Sequence, residues 1–130
     1  MYKTLLVEQE IEDGQKLLDQ LDAGRFPVSS ALWHYSPEKN RWRLVIVSPV
    51  ADTKGPHYGY TRIQKALGET ETTSLSLDDI RLMGKEDPEF RDLKRTLGPP
   101  WPKSSIQQRR PPRPFEDEYV YRWARDSKAG

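Results

Sequence analysis

The stretch ALWHYSPEKNRWRLVIVSP, Ala31 to Pro49, decides the fold, because it predicts two β-strands joined by a turn. The first arm, Val28 to Tyr35, and the second, Trp42 to Val47, are rich in the aromatic and β-branched side chains that fit a pleated surface. Between them Ser36-Pro37-Glu38-Lys39-Asn40 carries turn chemistry: proline presets a turn dihedral and asparagine tolerates φ > 0. In the second arm Trp42, Leu44 and Ile46 point one way while Arg43, Val45 and Val47 point the other, so from Leu44 to Val47 both faces are apolar. Such a strand is covered on both sides, by helices on each face or by a helix on one and a partner molecule on the other.

Working outward toward the N-terminus, Thr4 to Ala23 places Val7, Ile11, Leu18 and Leu21 near one face, with Leu17 beside them. Glu8, Glu10, Glu12 and Asp13 come early in the run, which predicts an amphipathic helix ended by Gly24. Gly14 interrupts this pattern, and Met1 to Val7 reads alternatively as an extended arm.

Working outward toward the C-terminus, Val50 to Gly55 reads as a loop, and Pro56 takes the first position of a second helix carrying Tyr60, Ile63 and Leu67 before Gly68. A short strand is expected at Ile80 to Met83. Asp87 as N-cap, Pro88 and Glu89 then start a third helix, whose Phe90, Leu93 and Leu97 form a buried stripe before Gly98. Residues 99–114 are basic and proline-rich, hence extended, and Phe115 to Trp123 recovers the composition of a final strand. The expected fold is α/β of the α+β type, one domain over residues 1–130. It has a small mixed or antiparallel sheet built on the hairpin, about three helices and a C-terminal strand.

At 130 residues with 35% hydrophobic and 32% charged side chains, the chain can bury a modest core. The net charge of +1 hides an uneven distribution. Residues 1–24 carry 2 basic and 6 acidic groups, 25–65 carry 7 and 2, 66–98 carry 5 and 8, and 99–130 carry 7 and 4. The hairpin and the tail are therefore the basic parts, a pattern that attracts a polyanion or an acidic surface if they share a face. The absence of cysteine excludes a disulfide framework, thiolate zinc ligation and a cysteine nucleophile. The first apolar run is too short for a signal peptide and no later one approaches a bilayer span, so a cytoplasmic location is expected.

Ala31-Leu32-Trp33, Trp42-Arg43-Leu44, Gly55-Pro56 at a helix start, and Glu116-Asp117 before Tyr119-Val120-Tyr121-Arg122 together resemble a small family of uncharacterised bacterial proteins. The resemblance runs in order from Ile11 to Arg122. It implies one domain closed by the C-terminal strand and a bacterial origin, and it implies no activity. The proline-rich segment before Phe115 is outside the shared pattern.

Three constellations are candidates for chemistry. Glu38 with Asp52-Thr53-Lys54, supplemented by Glu116 and Asp117, superficially matches the carboxylates and lysine of a restriction-endonuclease-like nuclease or phosphodiesterase, in which two carboxylates hold Mg²⁺. The same residues read as a solvated turn and loop, and Glu38 and Asp52 flank opposite ends of the second strand. Lys54, Gly55, His57 and Arg62 gather at a helix start, which is an anion-binding corner or simply a helix N-terminus. Arg41, Trp42 and Arg43, with Arg109, Arg110 and Arg113 in the tail, combine base-stacking and phosphate-binding types, or else tryptophan core anchors with a solvated arginine rim. No motif specifies a reaction. The expected function is a non-enzymatic binding or accessory module without a cofactor. Its partner would be a protein or a second copy of the chain, with nucleic acid as the alternative and no membrane; Mg²⁺ enters only with the nuclease reading.

Overall fold

The computed structural model describes residues 4–70, 75–97 and 117–123. The hairpin forms as expected: β1 (Ser30–Ser36) and β2 (Arg41–Val47) pair antiparallel, with Trp33 opposite Leu44 and Tyr35 opposite Trp42. Asn40 closes the turn at φ 50°, and its side-chain oxygen accepts from the Tyr35 hydroxyl. β3 (Ile80–Met83) adds in parallel to β2, and β4 (Glu118–Arg122) adds antiparallel to β1. The sheet is thus mixed and four-stranded, in the order β3-β2-β1-β4. A parallel neighbour needs a crossover. Two helices supply it, α2 (Pro49–Thr53) and α3 (Pro56–Glu69).

Alternation along the strands sorts the core into two layers. On one face Ala31, Trp33, Trp42, Leu44, Ile46 and Leu82 pack with Ile11, Leu17, Leu18 and Leu21 of α1 (Glu8–Ala23) and with Ile63 and Ala66 of α3. On the other face Leu32, Val45, Val47, Met83 and Val120 pack with Phe90 and Leu93 of α4 (Pro88–Leu97). The two-sided apolar character of β2 therefore has helices on both faces as its cause. The side chain of Leu97, expected in the α4 stripe, lies outside the described residues.

Several boundaries differ from expectation for local reasons. α1 begins at Glu8, and residues 4–7 before it lie outside the helix, as the described part of the expected arm: Leu6 is buried, and the Thr4 carbonyl accepts the Trp42 Nε1–H at 2.7 Å, whereas residues 1–3 lie outside the described residues. Val7, read as part of the helical stripe, is half-exposed at the helix cap, where the Glu10 carboxylate accepts its N–H at 3.2 Å. Val50 to Gly55 is not simply a loop, because Ser48 caps α2 by accepting the Val50 N–H at 3.1 Å, with Pro49 at the first helical position. β4 is shorter than Phe115 to Trp123, and its register against β1 shifts between Ala31 and Leu32. Phe115 and the extended segment 99–114 lie outside the described residues.

The end of α1 holds a small strain. Gly24 keeps φ −84°, and the left-handed position falls one residue later, on Arg25 at φ 61°. The Phe26 N–H reaches back to the Leu21 carbonyl at 2.9 Å, closing the helix end. A side chain at this φ costs on the order of 1 kcal/mol that glycine does not. Arg25→Gly is therefore expected to raise stability by about 0.5 kcal/mol after the added freedom of the unfolded chain is subtracted, read as an upward shift of the urea midpoint at constant slope.

Candidate functional site

The face of the sheet that carries α4 divides along the strands. Apolar residues lie under the helix, and polar residues gather toward the β1–β2 turn. β2 places Arg41 and Arg43 on this face, two residues apart, and β1 places His34 opposite Arg43. β4 brings Glu118 to the other side of His34, with Nε2 and Oε2 3.8 Å apart. α4 contributes Glu89, whose two carboxylate oxygens each take one arginine: Oε2 accepts from Arg43 Nη2 at 2.7 Å and Oε1 from Arg81 Nε at 3.2 Å. Asp87, just before α4, accepts from Arg81 Nη2 at 3.1 Å. Arg41 is held separately, donating to Asp79 Oδ1 at 3.1 Å and to the Asp78 carbonyl at 2.5 Å. The result is a row of alternating charge across the whole width of the sheet.

Arg43 is the most enclosed of these ion-paired side chains, at 18% exposure, and its Nε–H is buried without a partner among the described residues. A donor in that state carries a desolvation cost that an incoming acceptor relieves. Burial, followed by the Arg43 guanidinium, holds the His34 imidazole below its usual pKa of 6.5, while Asp117 and Glu89 pull the other way. The unfolded chain takes up this proton at about pH 6.5 and the native protein does not. The stability that neutral His34 contributes is therefore complete above about pH 6.5 and is lost as pH falls from there through the native pKa. Urea unfolding at about pH 7.5 and pH 5.5 is expected to show lower stability at the acidic value, with a smaller difference in His34→Gln. Equal differences in the two proteins would show that His34 does not link the fold to pH.

The structure distributes the sequence-derived candidates as follows. Trp42 is a core residue, 5% exposed, tilted against Tyr35 with ring centroids 5.6 Å apart, and it offers no face to a stacking base. Arg41 and Arg43 do share a face, but carboxylates of other elements engage both. Glu38 sits in the turn at one end of β2 and Asp52 in α2 beyond the other end, separated by a strand of roughly 20 Å. Asp52 accepts the Lys85 N–H at 2.8 Å, and a Cβ at Gly84 would lie 2.1 Å from its Oδ1, so its carboxylate is packed onto the turn before α4. Lys54 turns to the Tyr58 ring, 5.6 Å from its centroid. Asp117 lies at the hairpin end, where its carbonyl accepts the Tyr35 N–H at 2.9 Å. The nuclease constellation is therefore not assembled among the described residues, and no group of three or more His, Asp or Glu side chains there is arranged to hold a metal ion. Glu116, Arg109, Arg110 and Arg113 lie outside the described residues.

At the proposed anion corner, Gly55 takes φ 89°, a conformation that glycine supplies, and His57 is exposed at the start of α3. Arg62 does not join His57. Its Nη2 donates to the Gly24 carbonyl at 2.7 Å and its Nη1 to the Tyr58 hydroxyl at 3.1 Å, tying α3 to the end of α1.

Sequence reasoning passed over Glu89, reading it only as a first-turn acid. A signal existed: a two-faced strand with arginine at alternate positions needs carboxylates from whatever element covers that face. Together the fold and this row define an α+β protein with a mixed four-stranded sheet, helices on both faces and a charged strip at the hairpin end. Comparison with protein-family models, curated proteins and solved structures finds no match. Among the described residues no helix is long and apolar enough to cross a membrane.

Proposed function

We propose that the chain is a non-enzymatic binding or accessory module of the bacterial cytoplasm, and that its contact surface is the hairpin end of the α4 face. The occupant is a protein, either a different chain or a second copy of this one. The observation that carries this reading is the row Arg81, Glu89, Arg43 and Glu118, with neutral His34 between the last two, in which both signs alternate and both arginines already have carboxylate partners. Alternating charge gives register and selectivity against a protein surface of complementary pattern. A polyanion instead gains affinity from cations that exchange only small counterions, and single strands add stacking on exposed aromatic rings. Trp33, Tyr35 and Trp42 are buried.

The test begins with a salt titration against single- and double-stranded DNA and RNA, with and without Mg²⁺, on a gel that also reveals cleavage. The expected result is no salt-sensitive binding and no cutting. Binding that weakens steeply with salt would replace the protein partner with nucleic acid, and magnesium-dependent cutting would establish the nuclease reading. In a parallel arm, a partner retained by the wild-type protein and released by Arg41→Glu, a change at the rim and outside the core, is the expected positive result.

A further inference from the structure

On the opposite side of the sheet from the charged row, α1 and α3 lie side by side and antiparallel. Arg62 of α3 donates to the Gly24 carbonyl just past the end of α1, while Gln20, earlier in α1, donates to Glu69, later in α3. The outer surface of this layer has two unlike ends. At the N-terminal end of α1 stand Glu8 and Glu12, both exposed, with Leu5 and Val7, each 50% exposed, just before them. At the N-terminal end of α3 stand Lys54, Arg62 and the Tyr58 ring, 39% exposed, followed by exposed Lys65. Leu5, Val7 and Tyr58 are the large apolar side chains that the described residues leave exposed. Glu8, Glu12, Lys54, Arg62 and Lys65 form no ion pair among the described residues, whereas Arg41, Arg43 and Arg81 on the other side of the sheet all have carboxylate partners.

The spacing of these groups is self-complementary. A helix rises about 1.5 Å per residue, so from the level of Gly24 and Arg62 the layer carries Lys65 at about 4 Å, Glu12 at about 18 Å, Glu8 at about 24 Å and, in the other direction, Tyr58 at about 6 Å. A two-fold axis lying in the plane of the layer, across the helices at about 11 Å, sets Glu12 over the partner's Lys65 and Glu8 over the partner's Arg62. The same axis sets Val7 over the partner's Tyr58. Close to it, at about 10 to 12 Å, Glu69 faces the partner's Lys16. Helical phase agrees: Glu8 and Glu12 lie on the side of α1 away from buried Leu17 and Leu21, and Tyr58 and Lys65 on the side of α3 away from buried Ile63.

We infer that the α1–α3 layer is the face on which two copies of this chain join, helix layer against helix layer, with the acidic end of each on the basic end of the other. This surface lies across the sheet from the one proposed for a protein partner, and neither requires the other. The occupant is a second copy because one rotation matches charge with opposite charge and apolar with apolar at both ends at once, so the contact closes at two chains. Two helices about 10 Å apart and about 24 Å long offer roughly 500 Å² per copy. That is the lower end of specific interfaces, so the dimer is weak and forms at roughly 100 μM.

The test is sedimentation equilibrium of the full chain at roughly 10 to 500 μM. A monomer–dimer equilibrium is expected, weakened by about threefold or more when salt is raised from about 0.1 M to about 0.5 M. Lys65→Glu and Glu12→Lys are each expected to weaken the dimer about tenfold, because symmetry repeats every like-charge encounter. An equimolar mixture of the two variants is expected to associate within about threefold of the wild-type protein, since the mixed dimer opposes unlike charges at both positions. Both substitutions fall on exposed helix positions and leave the core intact. A chain that stays monomeric over the whole range overturns the inference. So does a dimer that neither substitution weakens, or a mixture that associates no more tightly than its components.

Discussion

Gly14→Ala is expected to lower the unfolding free energy by about 2–4 kcal/mol, although alanine is the better helix former by about 1 kcal/mol. A Cβ at Gly14 would stand 2.2 Å from the Tyr121 hydroxyl oxygen and 2.9 Å from Cζ. That hydroxyl is the joint of a three-element relay: it accepts the Trp33 Nε1–H at 2.8 Å and donates to the Ile11 carbonyl at 2.5 Å. Burial, partly countered by the Trp33 hydrogen bond, holds Tyr121 well above the ordinary tyrosine pKa, so it remains a neutral donor and acceptor at any working pH. Moving the ring aside strands the indole N–H in the core and loosens β4 from α1. Tyr121→Phe alone is expected to cost about 1–3 kcal/mol. The double variant should cost less than the sum, since the phenylalanine no longer presents the oxygen that the new methyl meets first. Additive losses in urea unfolding would show that the two sites are uncoupled.

The second large effect belongs to α4. Its hold on the sheet rests on Phe90 and Leu93, and Phe90 packs against Trp123 with ring centroids 5.7 Å apart. Phe90→Ala is expected to cost about 3–5 kcal/mol in urea unfolding. Because Glu89 is the adjacent residue, undocking the helix also removes the carboxylate that Arg43 and Arg81 share. Amide exchange should therefore rise along α4 before it rises in β1 and β2. A loss below about 1 kcal/mol would mean that the second core layer does not depend on this ring.

The architecture was legible wherever a local signal and a periodic one coincided. Asp87-Pro88 with the Phe90 and Leu93 spacing fixes α4, and Pro37 with Asn40 between two aromatic arms fixes the hairpin. Gly14 looked like a break in α1 because a one-dimensional pattern records only its poor helix propensity. The reason for it, a tyrosine hydroxyl from a strand more than a hundred residues later, exists only in three dimensions. The candidate surface was less legible for the same reason. Arginine at alternate positions of β2 revealed a shared face, whereas the engagement of those arginines depends on the docking of α4 and on the short 3₁₀ turn at Leu77–Asp79. Arg62 belonged by sequence to one helix start and by packing to the end of another helix.

The pairing of β1 with β4 also orders events in time. Trp33 and its Tyr121 partner are 88 residues apart. At a synthesis rate of about 5–20 residues per second, the completed first hairpin leaves the ribosome roughly 4–15 s before the strand that covers its outer edge. Hairpins themselves close in about 1–10 μs. During that interval β1 presents an unpaired backbone edge, and Tyr60, whose hydroxyl accepts the Leu82 N–H at 2.9 Å, can shield only the far side of the sheet. The nascent chain is thus most open to mispairing at the strand that ends in the middle of the finished sheet, and a chaperone or a neighbouring nascent copy would meet it there.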